Sequence, residues 1–256
     1  MATNPMHQFN VYRIGPQIKI DQIDISFTNA SLFMIISCIS ILTIFYLGTS
    51  KKNIIPLVLL AFHTIGIIGL AVPELRSEFL DLTPMNLLLT AVLLTWGLGV
   101  YNVRLLLAIG LAFTFGYLIE VAGVASGILF GEYQYGKPLG WKLFDVPVII
   151  GVNWFILSFS SLGLIGRFIS NSFIKIIVAS LLMVMLDVLI EPVAIQLDFW
   201  NWKEIDVPLQ NYIMWFFSAF MINGVVSTLL KEIDFKTSAF VFGAQVYFFT
   251  VLNLIL

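Results

Sequence analysis

Eight long apolar runs, separated by short polar segments, constrain the fold of this chain more than any other feature. Each run approaches the roughly 20 residues of a membrane-spanning helix and far exceeds the ten or so of a barrel strand. Of the 256 residues, 59% are hydrophobic and 11% charged, which excludes a water-soluble globule. The sequence therefore predicts an all-α, polytopic membrane bundle of about eight transmembrane helices. We place them at about 30–48, 54–72, 84–100, 103–122, 146–166, 173–194, 211–230 and 237–255.

Lysine and arginine indicate the orientation of this bundle. They dominate one set of short connections, whereas the opposite set is longer and rich in aspartate and glutamate. The basic set consists of Lys51, Lys52, Arg104, Arg167, Lys175, Lys231 and Lys236. Because short basic connections remain in the cytoplasm, we expect both termini outside. Polar residues precede the first apolar run, so we expect no cleavable signal peptide.

Several classes of site are not favoured by the composition. The single cysteine, Cys38, cannot form an internal disulfide, and two histidines with one cysteine do not favour a zinc site. The net charge of −2 does not suggest nucleic-acid binding. No nucleotide-binding motif stands in the strand–turn–helix context that phosphate binding requires. We therefore expect no metal, no cofactor and no nucleic-acid partner.

Three carboxylates fall inside predicted spans: Glu120, Asp187 and Glu191. An ionised group at mid-membrane costs at least about 2.5 kcal/mol and usually faces an interior cavity. The helical rise of about 1.5 Å per residue puts all three in the outer half of the membrane, and Asp187 and Glu191 share one helix face. We expect such a cluster to hold at least one proton near neutral pH, as a general acid must. The alternative is a structural polar network with Asn153 or Asn211. For His63, in the second span, we expect a single interhelical hydrogen bond.

An internal repeat surrounds these acids. Each copy has a carboxylate near a helix end, an aromatic pair in a loop, Asp-Val-Pro, and a tryptophan seven positions after the proline. The residues are Glu120, Tyr133, Tyr135, Asp145 and Trp154 in the first copy and Glu191, Trp200, Trp202, Asp206 and Trp215 in the second. We predict a parallel repeat of helical hairpins, about 103–166 and 173–230, with a site at its interface. A chance likeness is the alternative, because the loops differ in length.

The residues of the repeat also have simpler interpretations. Asp145 and Asp206 each precede Val-Pro and are suited to cap a helix, since proline is tolerated in the first helical turn. Tryptophan and tyrosine form belts at membrane interfaces. Against this, aromatic faces stabilise cations, and an aromatic-walled pocket with buried acids suits the protonation of an alkene. We take as candidate substrate-binding residues Tyr133, Tyr135, Asp145, Trp154, Trp200, Trp202, Asp206, Asn211 and Trp215.

The first 52 residues differ in character from the rest. MATNPMHQFNVYRIGP and DISFTNASLFM resemble the N-terminal segment and first helix of the ATP synthase a subunit. That family requires an arginine on a late membrane helix, and here Arg104 stands at a helix start, with no interior arginine in a later predicted span. We interpret residues 1–52 as a fused, misassembled or engineered segment and residues 53–256 as the functional domain.

The remainder resembles a different family. GYLIEVAGVASGILFGEYQYGKPLGWKLFDVPVIIGVNW and LDVLIEPVAIQLDFWNWKEIDVPLQNYIMW are similar to integral-membrane carotenoid biosynthesis proteins, which include hydratases. The resemblance implies seven spans in this part, a lipid-dissolved carotenoid substrate and a bacterial inner-membrane location. It also makes membrane lipid and other carotenoid-pathway enzymes the candidate partners.

The function that this resemblance implies is hydration of an acyclic carotenoid end group. Glu120, Asp187 or Glu191 would protonate the terminal double bond, and a second carboxylate would orient the water that adds. Two other functions stay open. One is a proton-path or assembly component related to the ATP synthase a subunit, and the other is a small-molecule carrier that uses the repeat as a rocking unit.

Overall fold

The computed structural model describes residues 19–20, 23–24, 51–99, 101–204 and 206–256. In the N-terminal unit, Met1–Ser50, two short strands, β1 (Lys19–Ile20) and β2 (Ile23–Asp24), pair antiparallel. Lys51–Leu256 form a second unit. The predicted helix at 30–48 and Cys38 lie outside the described residues.

The second unit is a bundle of helices. Its elements are α1 (Lys51–Ala71), α2 (Pro73–Asp81), α3 (Thr83–Leu98), α4 (Val103–Ser126), α5 (Ile149–Gly166), α6 (Ser172–Gln196), α7 (Leu209–Leu229) and α8 (Phe235–Ile255). Six of these helices are long and apolar enough to cross a membrane, and the bent pair α2–α3 makes a seventh span by length and composition. The predicted all-α polytopic bundle is confirmed.

Two prolines explain why a short helix precedes the predicted third span. Pro73 and Pro84 each stand in the first turn of a helix, where the missing N–H is not needed. The chain therefore restarts twice, and α2 and α3 meet at an angle of 56°. α3 ends at Gly99, whose φ of 68° is the left-handed conformation that terminates helices.

The helix expected from residue 146 begins later, at Ile149. Before it, β4 (Lys142–Leu143) and β5 (Val146–Pro147) form a hairpin. Phe144 and Asp145 form its two-residue turn with φ values of 51° and 61°, the positive values that a type I′ turn requires. The capping interpretation of Asp145 is therefore wrong. It is also wrong for Asp206, because α7 starts after Pro208 with no side-chain cap.

α5 lies at the centre of the bundle and packs against α3, α4, α6, α7 and α8. The most apolar 18-residue stretch of α5 is 72% buried, whereas the corresponding stretches of the other five long spans are 33–50% buried. A helix that is apolar around most of its circumference is expected to be buried in this way. Hydrogen bonds between polar side chains link α5 to α7 and α7 to α6. Ser158 donates to Asn223 Oδ1 at 2.7 Å, and Asn223 donates to Ser180 at 3.0 Å. Such bonds between small polar side chains stabilise helix contacts in membranes.

A small sheet joins the connections that follow α4 and α6. β3 (Tyr133–Tyr135) and β6 (Trp200–Trp202) pair antiparallel, with Tyr133 opposite Trp202 and Tyr135 opposite Trp200. Gly136 N–H extends the ladder by donating to Phe199 O at 2.9 Å. A Cβ on Gly136 would lie 1.7 Å from Asp198 O, so the close approach requires glycine.

His63 does not behave as expected. It is buried in α1, and its Nδ1 lies 2.8 Å from Leu59 O, one turn earlier on the same helix. Its ring meets Phe248 of α8 edge-on at 5.5 Å. The predicted interhelical hydrogen bond is therefore wrong: its ring nitrogen bonds within α1, and the contact with α8 is aromatic.

Candidate functional site

Glu120, in the last two turns of α4, is buried and surrounded by donors. Tyr133 and Tyr135 donate their hydroxyls to Oε2 at 2.5 and 2.8 Å, and Trp154 donates Nε1–H to Oε1 at 3.1 Å. Gly116 makes the last contact possible, since a Cβ there would lie 2.3 Å from the Trp154 Cβ. Burial, with the Glu120 carboxylate beside them, raises the pKa of both tyrosines, so they remain donors at physiological pH.

Glu191, in α6, has a matching environment. Trp200 and Trp202 donate their Nε1–H groups to Oε2 at 2.9 and 3.0 Å. Asn211 of α7 donates to Oε1 at 3.2 Å. Each glutamate thus accepts from the aromatic pair of its own connection, and the β3–β6 register sets the two pairs against each other.

Two tryptophans close the site between the glutamates. Trp154 of α5 and Trp215 of α7 stack with ring centroids 4.3 Å apart and 23° between the planes. Trp154 is fully buried and Trp215 nearly so. The structure therefore places equivalent positions of the two sequence copies around one centre, and the parallel repeat itself stays a prediction.

Asp187 lies one turn before Glu191 on α6 and is 1% exposed. The Asn211 amide that donates to Glu191 also donates to Asp187 Oδ2, at 3.0 Å. Within the described part of the chain, Asp187 Oδ1 is buried without a hydrogen-bond partner. One amide group thus bridges two carboxyls.

A cavity with about 370 Å³ of empty space, part of it open to the surroundings, lies between these groups. Its lining combines two carboxyl groups, two amides and aromatic rings, the mixture typical of small-molecule sites. The lining residues are Glu120, Phe130, Tyr133, Tyr135, Ile150, Asn153, Trp154, Glu191, Trp200, Trp202, Asn211 and Trp215. Asp187 lies behind Asn211 and Glu191 and is not among them.

The structure brings most of the predicted site residues together. Asp145 and Asp206 are the exceptions: both are exposed, and neither lines the cavity. Asp145 forms the β4–β5 turn instead. In the described ranges, no three His, Cys, Asp or Glu side chains are arranged to hold a metal ion.

Three cavity residues, Phe130, Ile150 and Asn153, were not predicted to bind substrate. Ile150 precedes Trp154 by four positions and so shares its helix face, a signal that the sequence did contain. Phe130 meets Tyr133 edge-on at 6.2 Å, a contact that depends on the loop conformation.

Comparisons with known proteins give two kinds of relative. Bisanhydrobacterioruberin hydratase of Haloarcula japonica is 30% identical over 129 residues, 47% of this chain and 42% of that protein. ATP synthase subunit a of Pelagibacter ubique is 68% identical over 56 residues, 22% of this chain and 23% of that protein. The same subunit of Sinorhizobium fredii is 32% identical over 140 residues, 53% of this chain and 55% of that protein, so this match extends beyond residue 52.

The chain spans less than two thirds of the length of each of these relatives. No solved structure matches it. Residues 83–256, about two thirds of the chain, match the family described as carotenoid biosynthesis protein. That segment contains α3 to α8 and every residue of the cavity. The chain therefore belongs to the carotenoid biosynthesis protein family.

Proposed function

We propose that this chain is a membrane enzyme that adds water to the terminal double bond of an acyclic carotenoid end group. The observation that carries the proposal is the pair of buried glutamates, Glu120 and Glu191, facing one aromatic-walled cavity. Membership of the carotenoid biosynthesis family and the likeness to a protein named as a hydratase support it. We also propose the bacterial cytoplasmic membrane as its location.

The reaction follows from the residue types that line the cavity. A carboxyl group of the Glu120–Asp187–Glu191 cluster gives a proton to the less substituted carbon of a trisubstituted alkene, whose π electrons form the new C–H bond. The tertiary carbocation that results lies against the aromatic faces of the site, such as the stacked Trp154 and Trp215. Water forms the C–O bond, and its surplus proton passes to a second carboxylate. The sum is one water added to one alkene.

The cavity between the glutamates is open to the surroundings on one side, so a long substrate needs to enter it with only one end. We propose that the cavity holds the end group and that the long polyene remains among lipid chains and the exposed apolar side chains of the helices.

The test is pigment analysis in bacteria that make lycopene or gamma-carotene. We expect the full chain, and a version that starts at Asn53, to yield a pigment heavier by one water, detected by liquid chromatography and mass spectrometry. Glu191→Gln should remove this product. Glu132→Gln is the matched control, because Glu132 is exposed and pairs with Lys203 outside the cavity. The hydratase function would be refuted if both versions inserted normally and left every pigment unchanged.

A second candidate has its own observation. The 68% identity with an ATP synthase subunit a over 56 residues favours a proton-path or assembly component. The acids would then relay protons. This candidate would replace the hydratase if the full chain changed the proton leakage of vesicles but no pigment, and the version that starts at Asn53 changed neither.

A further inference from the structure

The two glutamates occupy matching positions, but their neighbours on the same helices differ. Four residues before Glu191 stands Asp187, whereas four residues before Glu120 stands Gly116. Gly116 has room for no side chain, because Trp154 packs against its Cα. One half of the site therefore contains a second carboxyl and the other half does not.

The facing helices differ in the same way. Asn211 stands four residues before Trp215 and donates to two carboxyls. Ile150, four residues before Trp154, has no polar group to donate. We propose that Asp187 and Glu191 together hold the proton that this site donates, and that Glu120 is the carboxylate that receives a proton from water. This assignment rests on the proposed hydratase function.

Glu120 has the environment of an ionised carboxylate. A carboxylate only accepts hydrogen bonds, and both oxygens of Glu120 accept from Tyr133, Tyr135 or Trp154. Three such charge-assisted bonds stabilise the negative charge away from water. Glu120 is thus built to carry a charge and to take a proton when one is released beside it.

The Asp187–Glu191 pair has the environment of one charge shared by two carboxyls. Two negative charges one helical turn apart in a buried site repel each other strongly, because little solvent screens them. The shortage of donors lies at Asp187: Glu191 also accepts from Trp200 and Trp202, whereas Asp187 accepts only from the Asn211 amide in the described residues, and its Oδ1 is buried without a partner. A proton on the pair removes one negative charge. It also leaves one fewer carboxylate oxygen without a hydrogen-bond donor. The titratable groups that face the pair from other elements of the described chain are Glu120, Tyr133 and Tyr212.

The roles within the pair follow from access to the cavity. Glu191 lines it, so Glu191 is the catalytic residue, and Asp187, which does not line it, is a positioning residue that keeps a proton on the pair. The O–H bond of Glu191 breaks as the C–H bond forms, and water attacks the cation. Glu120 takes the proton that water loses. The cycle closes when Glu120 releases this proton to solvent and the pair takes one up.

Deuterium separates the two half-reactions. In D₂O we expect wild type to give a hydrated pigment with one carbon-bound deuterium. With Glu120→Gln, protonation continues but water capture fails, so hydration should fall at least tenfold while deuterium enters the recovered, unhydrated carotenoid. With Glu191→Gln or Asp187→Asn, neither deuterium nor water should be added at neutral pH. Asp187→Asn should recover as the pH falls, because bulk protons then protonate Glu191, whereas a folding defect would not be repaired by acid.

The opposite pattern overturns the assignment. If Glu120→Gln blocks deuterium entry and Asp187→Asn exchanges like wild type, the proton comes from the Glu120 half. If wild type shows neither hydration nor exchange, the proposed function fails and the assignment with it, whereas hydration with the wrong variant pattern defeats the assignment alone.

Infrared spectroscopy of the purified chain provides a measurement that needs no activity. At neutral pH we expect the C=O stretch of a protonated buried carboxyl in wild type and in Glu120→Gln. The band should vanish in Asp187→Asn, because Glu191 then has three donors and no like charge beside it. A wild-type spectrum without this band would overturn the proposal that the pair holds a proton, and this result does not depend on the folding of any variant.

Discussion

Glu120 and Glu191 tolerate burial because protein groups donate hydrogen bonds to the oxygens of each carboxyl. Glu120 is 3% exposed and Glu191 2% exposed. Tyrosine and tryptophan serve well here, since each brings one donor on a rigid ring whose remaining surface is apolar. The same rings provide both the hydrogen bonds to the acids and the walls of the cavity. Changing a ring therefore changes the environment of an acid and the shape of the site together, but removing one hydroxyl changes only a hydrogen bond.

Tyr135→Phe isolates that single bond. The hydroxyl donates to Glu120 at 2.8 Å from a ring that is 7% exposed, so the substitution removes a donor and leaves the packing. A hydrogen bond to a charged group contributes about 1.5–3 kcal/mol, so we expect the hydration rate to fall about tenfold or more. Product formation per amount of inserted protein measures it. Tyr247→Phe is the control, because its hydroxyl contacts Thr64 far from Glu120 along the chain; equal losses in both variants would contradict a specific role for Tyr135.

At the scale of elements, the β3–β6 sheet determines which aromatic side chains reach which acid. α4 and α6 each carry a glutamate, but their donors lie in the connections that follow. Antiparallel pairing fixes the register of these connections, and a slip of one residue would turn the rings to the other face of the sheet. Gly136 is the weak point, because the ladder there requires close approach of the backbone of Asp198.

Gly136→Ala tests the sheet. Its Cβ would lie 1.7 Å from a backbone oxygen, so the strands must separate. We expect a loss of about 1–3 kcal/mol in the free energy of unfolding, measured by thermal unfolding in detergent, together with loss of hydration as the rings of β6 move. Gly110→Ala is the matched control, since nothing lies within 4 Å of a Cβ there. A Gly136→Ala chain as stable and active as this control would show that the register is not required.

At the scale of the whole molecule, the helices of the second unit present apolar surface outward and polar groups inward. Exposed leucine, isoleucine and phenylalanine side chains are distributed over α1, α4, α6 and α7. The cavity lies near the ends of α4 and α6 that we predict to face outward from the charge of the connections. An end group dissolved in lipid would then reach the acids from the outer leaflet.

The orientation can be measured with single cysteines. In a Cys38→Ser background, cysteine at Glu204 should react with a membrane-impermeant maleimide in spheroplasts, and cysteine at Lys231 should react only after lysis. Both positions are exposed, so access to the reagent depends on the side of the membrane. The reverse labelling would place both termini in the cytoplasm and move the cavity to the inner leaflet.

The amino-acid pattern predicted the class of fold, the positions of the seven long helices of the second unit to within a few residues and the identity of the buried acids, but not the short helix α2. These features are local, because a run of apolar residues or a carboxylate within it has the same cost in lipid whatever its neighbours are. The partners of these groups became apparent in the folded chain: Trp154 donates to Glu120, 34 positions away, β3 pairs with β6, and Asn211 bridges two carboxyls. The tertiary structure also moved Asp145 into a turn and left Asp206 exposed, although both share their motif with residues of the cavity. The physical reason is that hydrogen bonds and ring contacts depend on distances and angles between segments far apart in the chain, and a linear pattern indicates which groups need partners without specifying which partners they find.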